Sequence, residues 1–322
     1  MSDKKTSFLK GAAILGVAGI IVKLIGALFR IPLQNTIGAQ GMANYEVAYP
    51  IYSLLLVISS SGLPTAISKL VSEHMATGRP GAALYVFKSS RRLLLLIGTV
   101  CSAALLAAAG VYAAAVGMPD SKYAIMGIAP ALLAVAVMCA YRGYFQGMQN
   151  MGATAVSQLI EQIGKLLLGL TLAKKFMALG AGYAALGATI GIAVSEFAAL
   201  AVIMLMYAFR RKSPIKPLIH QTENFSQLSK KLLAIAVPIT IGAAIMPLTG
   251  VMDSLTIVNE LKALGFAQEA AQSAYAMLRS VVTPIINLPA VLTIALAMSI
   301  VPAISSQLAL YRYSEAGKYA SG

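Results

Sequence analysis

The stretch MGATAVSQLIEQIGKLLLGLTLA, Met151 to Ala173, is apolar at both ends, yet its middle carries Gln158, Glu161, Gln162 and Lys165. On a helix, Thr154, Gln158, Glu161, Gln162 and Lys165 fall within about one third of the circumference, opposite Ile160, Leu167 and Leu168. A helix of this kind enters a membrane only with its polar stripe turned toward other helices. Glu161 and Lys165 stand four residues apart in the favourable acid-first order, so mutual neutralisation is expected. Spacing alone leaves open whether the stripe is a self-paired seam or faces a substrate.

The rest of the chain supports the membrane reading. Of its 322 residues, 58% are hydrophobic and 11% are charged, and apolar runs long enough to cross a bilayer recur throughout. The fold class is therefore all-α, a polytopic membrane helix bundle with about eight predicted spans: 8–33, 45–70, 93–116, 123–141, 154–173, 180–208, 232–257 and 281–306. The amino-terminal lysines followed by apolar residues resemble a signal peptide. The apolar stretch is too long, however, and lacks a clear cleavage site, so an uncleaved first span is expected.

A formal charge of +14 would suggest nucleic acid in a soluble protein, but here the basic residues gather at the ends of apolar runs. Most of the 25 lysines and arginines fall on one side if the amino terminus is cytoplasmic, and no nucleic acid partner is expected. Cys101 and Cys139 lie in apolar segments without metal spacing to His74 or His220, so neither a disulfide nor a metal site is proposed.

The segment RRKSPIKPLIHQTENFSQLSKK, Arg210 to Lys231, combines prolines and charges and reads as a cytoplasmic linker. It divides the chain into a first six-helix lobe (1–209), the linker (210–231) and the start of a second lobe (232–322) with two helices. A weak repeat agrees: SGLPTAISKL (Ser61–Leu70) and SIVPAISSQL (Ser299–Leu308) share S-x-x-P-x-x-x-S-x-L.

Several residues are candidates for function. Gly16, Gly19, Lys23, Gly26 and Arg30 share one stripe, and two cations on one stripe need water, an anion or an acid rather than lipid. Glu196 and Asp253 are acids inside predicted spans, where each suits a coupling cation or a basic partner. Gly62 and Pro64, Pro247, and Pro302 interrupt spans two, seven and eight, as parts that bend during transport do. There is no Walker loop, nucleophile elbow, zinc-protease motif or dinucleotide fingerprint, so the chain is not expected to be an enzyme.

GLPTAISKLVSE (Gly62–Glu73), YRGYFQGMQNMGATAVSQLIEQIGK (Tyr141–Lys165) and INLPAVLTIALAMSIVPAIS (Ile286–Ser305) resemble the stage V sporulation protein B type of polysaccharide flippase. That type belongs to the multidrug, oligosaccharidyl-lipid and polysaccharide exporter superfamily, together with lipid II flippases. The resemblance implies two six-helix lobes around a cavity in a multi-pass protein of the bacterial plasma membrane. It also implies movement of an undecaprenyl-pyrophosphate-linked oligosaccharide or cell-wall precursor, by alternating access, during peptidoglycan, capsule or spore construction. Lys23 and Arg30 then match first-helix arginines of the lipid II flippases, although lysine replaces the first arginine and the spacing is one residue longer. Arg279 matches an eighth-helix arginine loosely, and no arginine occupies the second span before Lys69. Asp253 is the counterpart of a sodium-site acid.

On this reading the cavity candidates are Lys23, Arg30, Gln158, Glu161, Gln162, Lys165 and Arg279, and the ion-coupling candidates are Asp253 and Glu196. No cofactor is expected beyond Na+ or H+ as coupling ion. The expected partners are lipid-linked oligosaccharide and membrane lipids, with a monomeric full-length protein. Because the chain ends two helices into the second lobe, a truncated transporter fold that does not transport alone is expected. The alternatives are a cation-coupled multidrug exporter and a non-transporting membrane scaffold.

Overall fold

The structure is a computed structural model that describes residues 2–210 and 224–286, with side chains from residue 16 onward except at positions 23, 27 and 284. Helices form nearly all of it, and no strand occurs among the described residues. Predicted spans one and two are joined in α1 (Ser2–Ser60), which breaks at Gly38 with φ 66°, a conformation that suits glycine. The chain folds back there. In a continuous helix Arg30 and Glu46 would stand about 24 Å apart, yet their side chains are 3.1 Å apart.

Span two ends earlier than predicted. The chain breaks at Ser61 and Gly62, and Pro64 stands in the first turn of α2 (Leu63–Ala76), where its missing N–H costs no hydrogen bond. The α3 helix (Pro80–Ala115) starts thirteen residues before the predicted span, because Lys88, Arg91 and Arg92 continue the helix past its apolar part. Then come α4 (Ser121–Gly147), α5 (Met151–Phe176) with a 3-10 turn (Met177–Leu179), and α6 (Ala181–Arg210). The α7 helix (Phe225–Ala263) starts at a capping box formed by Asn224 and Gln227 and continues through Pro238 and Pro247. Finally, α8 (Gln268–Met277), a π-helical turn (Leu278–Val282) and α9 (Thr283–Ile286) complete the described chain. Pro302, the second copy of the repeat and most of span eight lie outside the described residues, as does most of the predicted linker.

Among the described residues, five helical stretches are long and apolar enough to cross a membrane: Gly16–Ala76, Pro80–Ala115, Ser121–Gly147, Ala181–Arg210 and Phe225–Ala263. The first holds two predicted spans. The α5 helix is long enough but falls short in hydropathy because of its polar stripe. Exposed Leu96, Val100, Val111, Leu205, Phe209, Ile241, Ile245 and Met246 give the bundle the apolar exterior that a bilayer requires.

The interior holds two apolar cores stacked along the bundle. Toward the Gly38 turn, Phe29, Leu33, Tyr45, Leu105, Ile128, Ile192 and Tyr275 pack together. Toward the Gly62 break, Leu63, Phe87, Leu94, Tyr141, Phe145, Ile203 and Leu232 form the second. On α5 and α6 the change of core falls at polar positions. On α6, Ala193 belongs to the first and Ala199 to the second, with Glu196 between; on α5, Ile160 packs on the second and Leu166 on the first, with Glu161 and Lys165 between.

The α5 and α6 helices approach at backbone distance. A Cβ added to Gly191 would lie 2.5 Å from the Gly169 Cα, and one added to Gly164 would lie 2.7 Å from the Ser195 Cβ. This close approach sets the stripe of α5 beside Glu196. Overpacking costs roughly 1–3 kcal/mol, so Gly191→Ala is expected to lower the thermal unfolding midpoint in detergent. Gly110→Ala, whose added methyl meets no atom within 4 Å, is expected to hold or raise the midpoint, because alanine favours a helix interior over glycine.

Candidate functional site

The polar groups between the two cores form two connected clusters. Nearer the Gly38 turn, Glu46 is fully buried on the second half of α1. Arg30 Nη1 lies 3.1 Å from Glu46 Oε1 and also donates a 2.8 Å hydrogen bond to the backbone carbonyl of Arg279. The Glu46 carboxylate accepts no aligned hydrogen bond among the described residues, so charge rather than hydrogen bonding holds this contact. Arg30, Arg279 and Lys165 are the cations acting on Glu46. The Tyr275 hydroxyl donates to the Glu46 carbonyl at 3.2 Å, and the Ser280 hydroxyl donates to Gln34 at 3.1 Å, so α8 and the turn after it are tied to both halves of α1.

Arg279 stands on the π-helical turn, a distortion frequent at functional sites. Its guanidinium is 3.7 Å from Asp253 Oδ2, and its buried Nε has no hydrogen-bond partner among the described residues. Asp253 is thus half-exposed beside a cation.

Lys165 links the clusters. Its ammonium lies 5.2 Å from the Phe29 ring centroid and 5.4 Å from that of Tyr49, within cation–π range. The expected neutralisation by Glu161 is not what forms. Glu161 Oε2 instead accepts a 2.9 Å bond from Arg142 Nη2, and Glu161 Oε1 accepts one from Gln162 at 3.0 Å. Arg142 Nε also donates to Ser157 at 3.0 Å. The guanidinium on α4 offers a two-point grip that a lysine one turn along the same helix cannot match. Lys165 is left with aromatic faces and no carboxylate within ion-pair distance among the described residues.

Glu196 is 5% exposed, and its Oε2 has no hydrogen-bond partner among the described residues. Glu161, Arg142 and Lys165 are the charged groups acting on it.

The structure therefore brings together Arg30, Lys165 and Arg279 around Glu46, and Glu161, Gln162 and Glu196 around Arg142. Gly26 faces Gln162: a Cβ there would lie 3.5 Å from Gln162 Oε1, so the glycine stripe of α1 packs on the polar stripe of α5. Gln158 is half-buried and makes no hydrogen bond among the described residues. The Lys23 side chain lies outside the described residues. Gly62 packs its backbone against that of Ala236 on α7, and Pro247 lies within the unbroken α7.

Glu46 and Arg142 carry the two clusters, yet neither stood among the candidates. Each falls at the edge of a predicted span, where a charge reads as belonging to a loop; a lone acid ringed by Tyr45, Tyr49 and Tyr52 was the available signal. Removing one partner of a buried ion pair costs about 3–5 kcal/mol. Arg142→Ala is accordingly expected to destabilise the protein by that order in denaturant titration, and adding Glu161→Gln to recover most of the loss.

A family model described as "Polysaccharide biosynthesis protein" matches residues 8–308. The chain is 30% identical to Stage V sporulation protein B of Bacillus subtilis (strain 168), over 94% of this chain and 58% of that one. It is 29% identical to Lipid II flippase MurJ of the same organism, over 97% of this chain and 60% of the relative. The chain thus spans about three fifths of the length of these curated relatives. Among solved structures, an inward-facing multidrug resistance MATE family transporter of the MOP superfamily superposes with a TM-score of 0.70 at 14% identity, covering 96% of this chain and 69% of that one. The likeness establishes a shared fold, that of a multi-pass helical membrane protein.

Proposed function

We propose that this chain, which belongs to the polysaccharide biosynthesis protein family, forms the greater part of a flippase that moves a lipid-linked oligosaccharide or cell-wall precursor across the membrane by alternating access. One observation carries this reading: Arg30 lies 3.1 Å from the buried carboxylate of Glu46, and Arg279 and Lys165 are the other cations acting on it, with no carboxylate at ion-pair distance from Lys165 among the described residues. Such a gathering of cations suits a pyrophosphate headgroup, which is multiply anionic and forms charge-assisted hydrogen bonds with guanidinium and ammonium groups. Lys23, two stripe positions before Arg30 in the sequence, is a further candidate for headgroup binding. The lipid tail remains in the bilayer while the headgroup crosses among the helices.

In this reading residues 1–209 form one lobe, 210–231 the linker and 232–322 the start of the other, with the amino terminus in the cytoplasm. The hydrogen bond from Arg30 to the Arg279 carbonyl then crosses between lobes, where opening breaks it, whereas the ionic contact of Arg279 with Asp253 lies within the second lobe. The protein performs no covalent chemistry, works as a monomer, and couples its cycle to an ion. Glu196, buried and with its Oε2 unpartnered among the described residues, suits the coupling ion better than the half-exposed, arginine-paired Asp253.

The test is genetic and biochemical. Depletion of the intact gene is expected to cause lipid-linked saccharides to accumulate on the cytoplasmic side, and an unchanged lipid pool would contradict the proposal. In a complementation assay, Arg30→Ala and Lys23→Ala are each expected to reduce flipping at least about tenfold with normal protein levels. Full activity of the double variant would remove the headgroup role.

A further inference from the structure

Glu196 and Lys165 each lack the partner that a buried charge ordinarily has. Glu196 is a carboxyl group, 5% exposed, whose Oε2 meets no donor among the described residues. Lys165 rests on the rings of Phe29 and Tyr49 while its helical neighbour Glu161 is held by Arg142. These groups share one electrostatic neighbourhood. The charged groups facing Glu196 are Arg142 from α4 and Glu161 and Lys165 from α5; the titratable Tyr52 of α1 and Cys139 of α4 adjoin it.

The charge balance of this neighbourhood depends on one proton. With Glu196 ionised, Arg142 and Lys165 are matched by Glu161 and Glu196, and the cluster is neutral. With Glu196 protonated, Arg142 still holds Glu161, and the single uncompensated positive charge belongs to Lys165. In a low-dielectric interior that difference acts at close range.

We infer that Glu196 is a proton-binding site coupled to Lys165, so that a proton on Glu196 and an anionic headgroup at Lys165 bind together and leave together. This rests on the headgroup reading above and adds to it the identity of the coupled ion, the residue that holds it and the sign of the coupling. No bond to the substrate forms or breaks: the proton moves between water and the Glu196 carboxyl group. Linkage makes the effect reciprocal, so protonation tightens anion binding by the same factor by which the anion tightens proton binding. Arg142 acts as a positioning residue, because it holds the Glu161 carboxylate away from Lys165.

The test is the pH dependence of geranylgeranyl pyrophosphate binding to the purified chain in nanodiscs, compared with that of Glu196→Gln. The ionisation of the ligand is the same in both titrations, so any difference in slope belongs to Glu196. Wild-type affinity is expected to fall at least about fivefold more than that of the variant from mildly acidic to mildly alkaline pH. The glutamine variant, fixed in the neutral form, keeps tight binding throughout. Glu196→Asp, which still titrates, is expected to retain the wild-type dependence. Parallel pH profiles for wild type and Glu196→Gln would overturn the coupling while leaving the headgroup site in place. Absence of binding by both proteins would overturn the headgroup reading and this inference with it.

Discussion

A charge inside a membrane protein must find its partner within the protein, because the surrounding hydrocarbon supplies none. That constraint organises this bundle. Glu46 is fully buried, Glu196 nearly so, and the side chains of Arg142 and Glu161 are at most about one-fifth exposed. They occur together, in a polar band set among the two apolar cores, rather than scattered along the helices. The Arg30–Glu46 contact requires the chain to fold back at Gly38, and the Arg142–Glu161 contact requires α4 and α5 to present these residues to each other. The pairs thus specify how the helices are arranged, even where an apolar replacement would be as stable.

Small residues make the band possible. The α5 and α6 helices meet where Gly164 faces Ser195 and Gly169 faces Gly191, close enough that a methyl group would collide. Glu196 is consequently brought beside a helix whose polar stripe would otherwise need another companion. Aromatic rings do the remaining work: Phe29 and Tyr49 offer Lys165 their faces, partial compensation that leaves its charge available to an anion.

Much of the architecture was legible in the sequence. Apolar runs gave the helices, the stripe on α5 gave a face turned inward, and the glycine-rich stripe on α1 is the one that packs against it. Less legible were contacts between helices. Helical spacing names only neighbours on the same helix, so it paired Glu161 with Lys165; the partner that won, Arg142, comes from α4 with better geometry. Glu46 and Arg142 escaped notice because hydropathy places span boundaries at charged residues, which hides a charge that is itself buried. The fold-back at Gly38 and the early start of α3 depend on backbone conformation and on helix continuing beyond its apolar part, neither of which hydropathy registers.

Together the band supplies three cations about Glu46 and a proton-sized vacancy of charge at Glu196, connected through Lys165. An anionic lipid headgroup fits that arrangement, whereas a neutral lipid gains nothing from it. The direct measurement is therefore the affinity of the purified chain for geranylgeranyl pyrophosphate against geranylgeraniol, which shares the hydrocarbon chain and lacks the charge. Tighter binding of the pyrophosphate by about two orders of magnitude, reduced by Arg30→Ala, is the expected result. Equal affinities for the charged and neutral lipids would contradict the account.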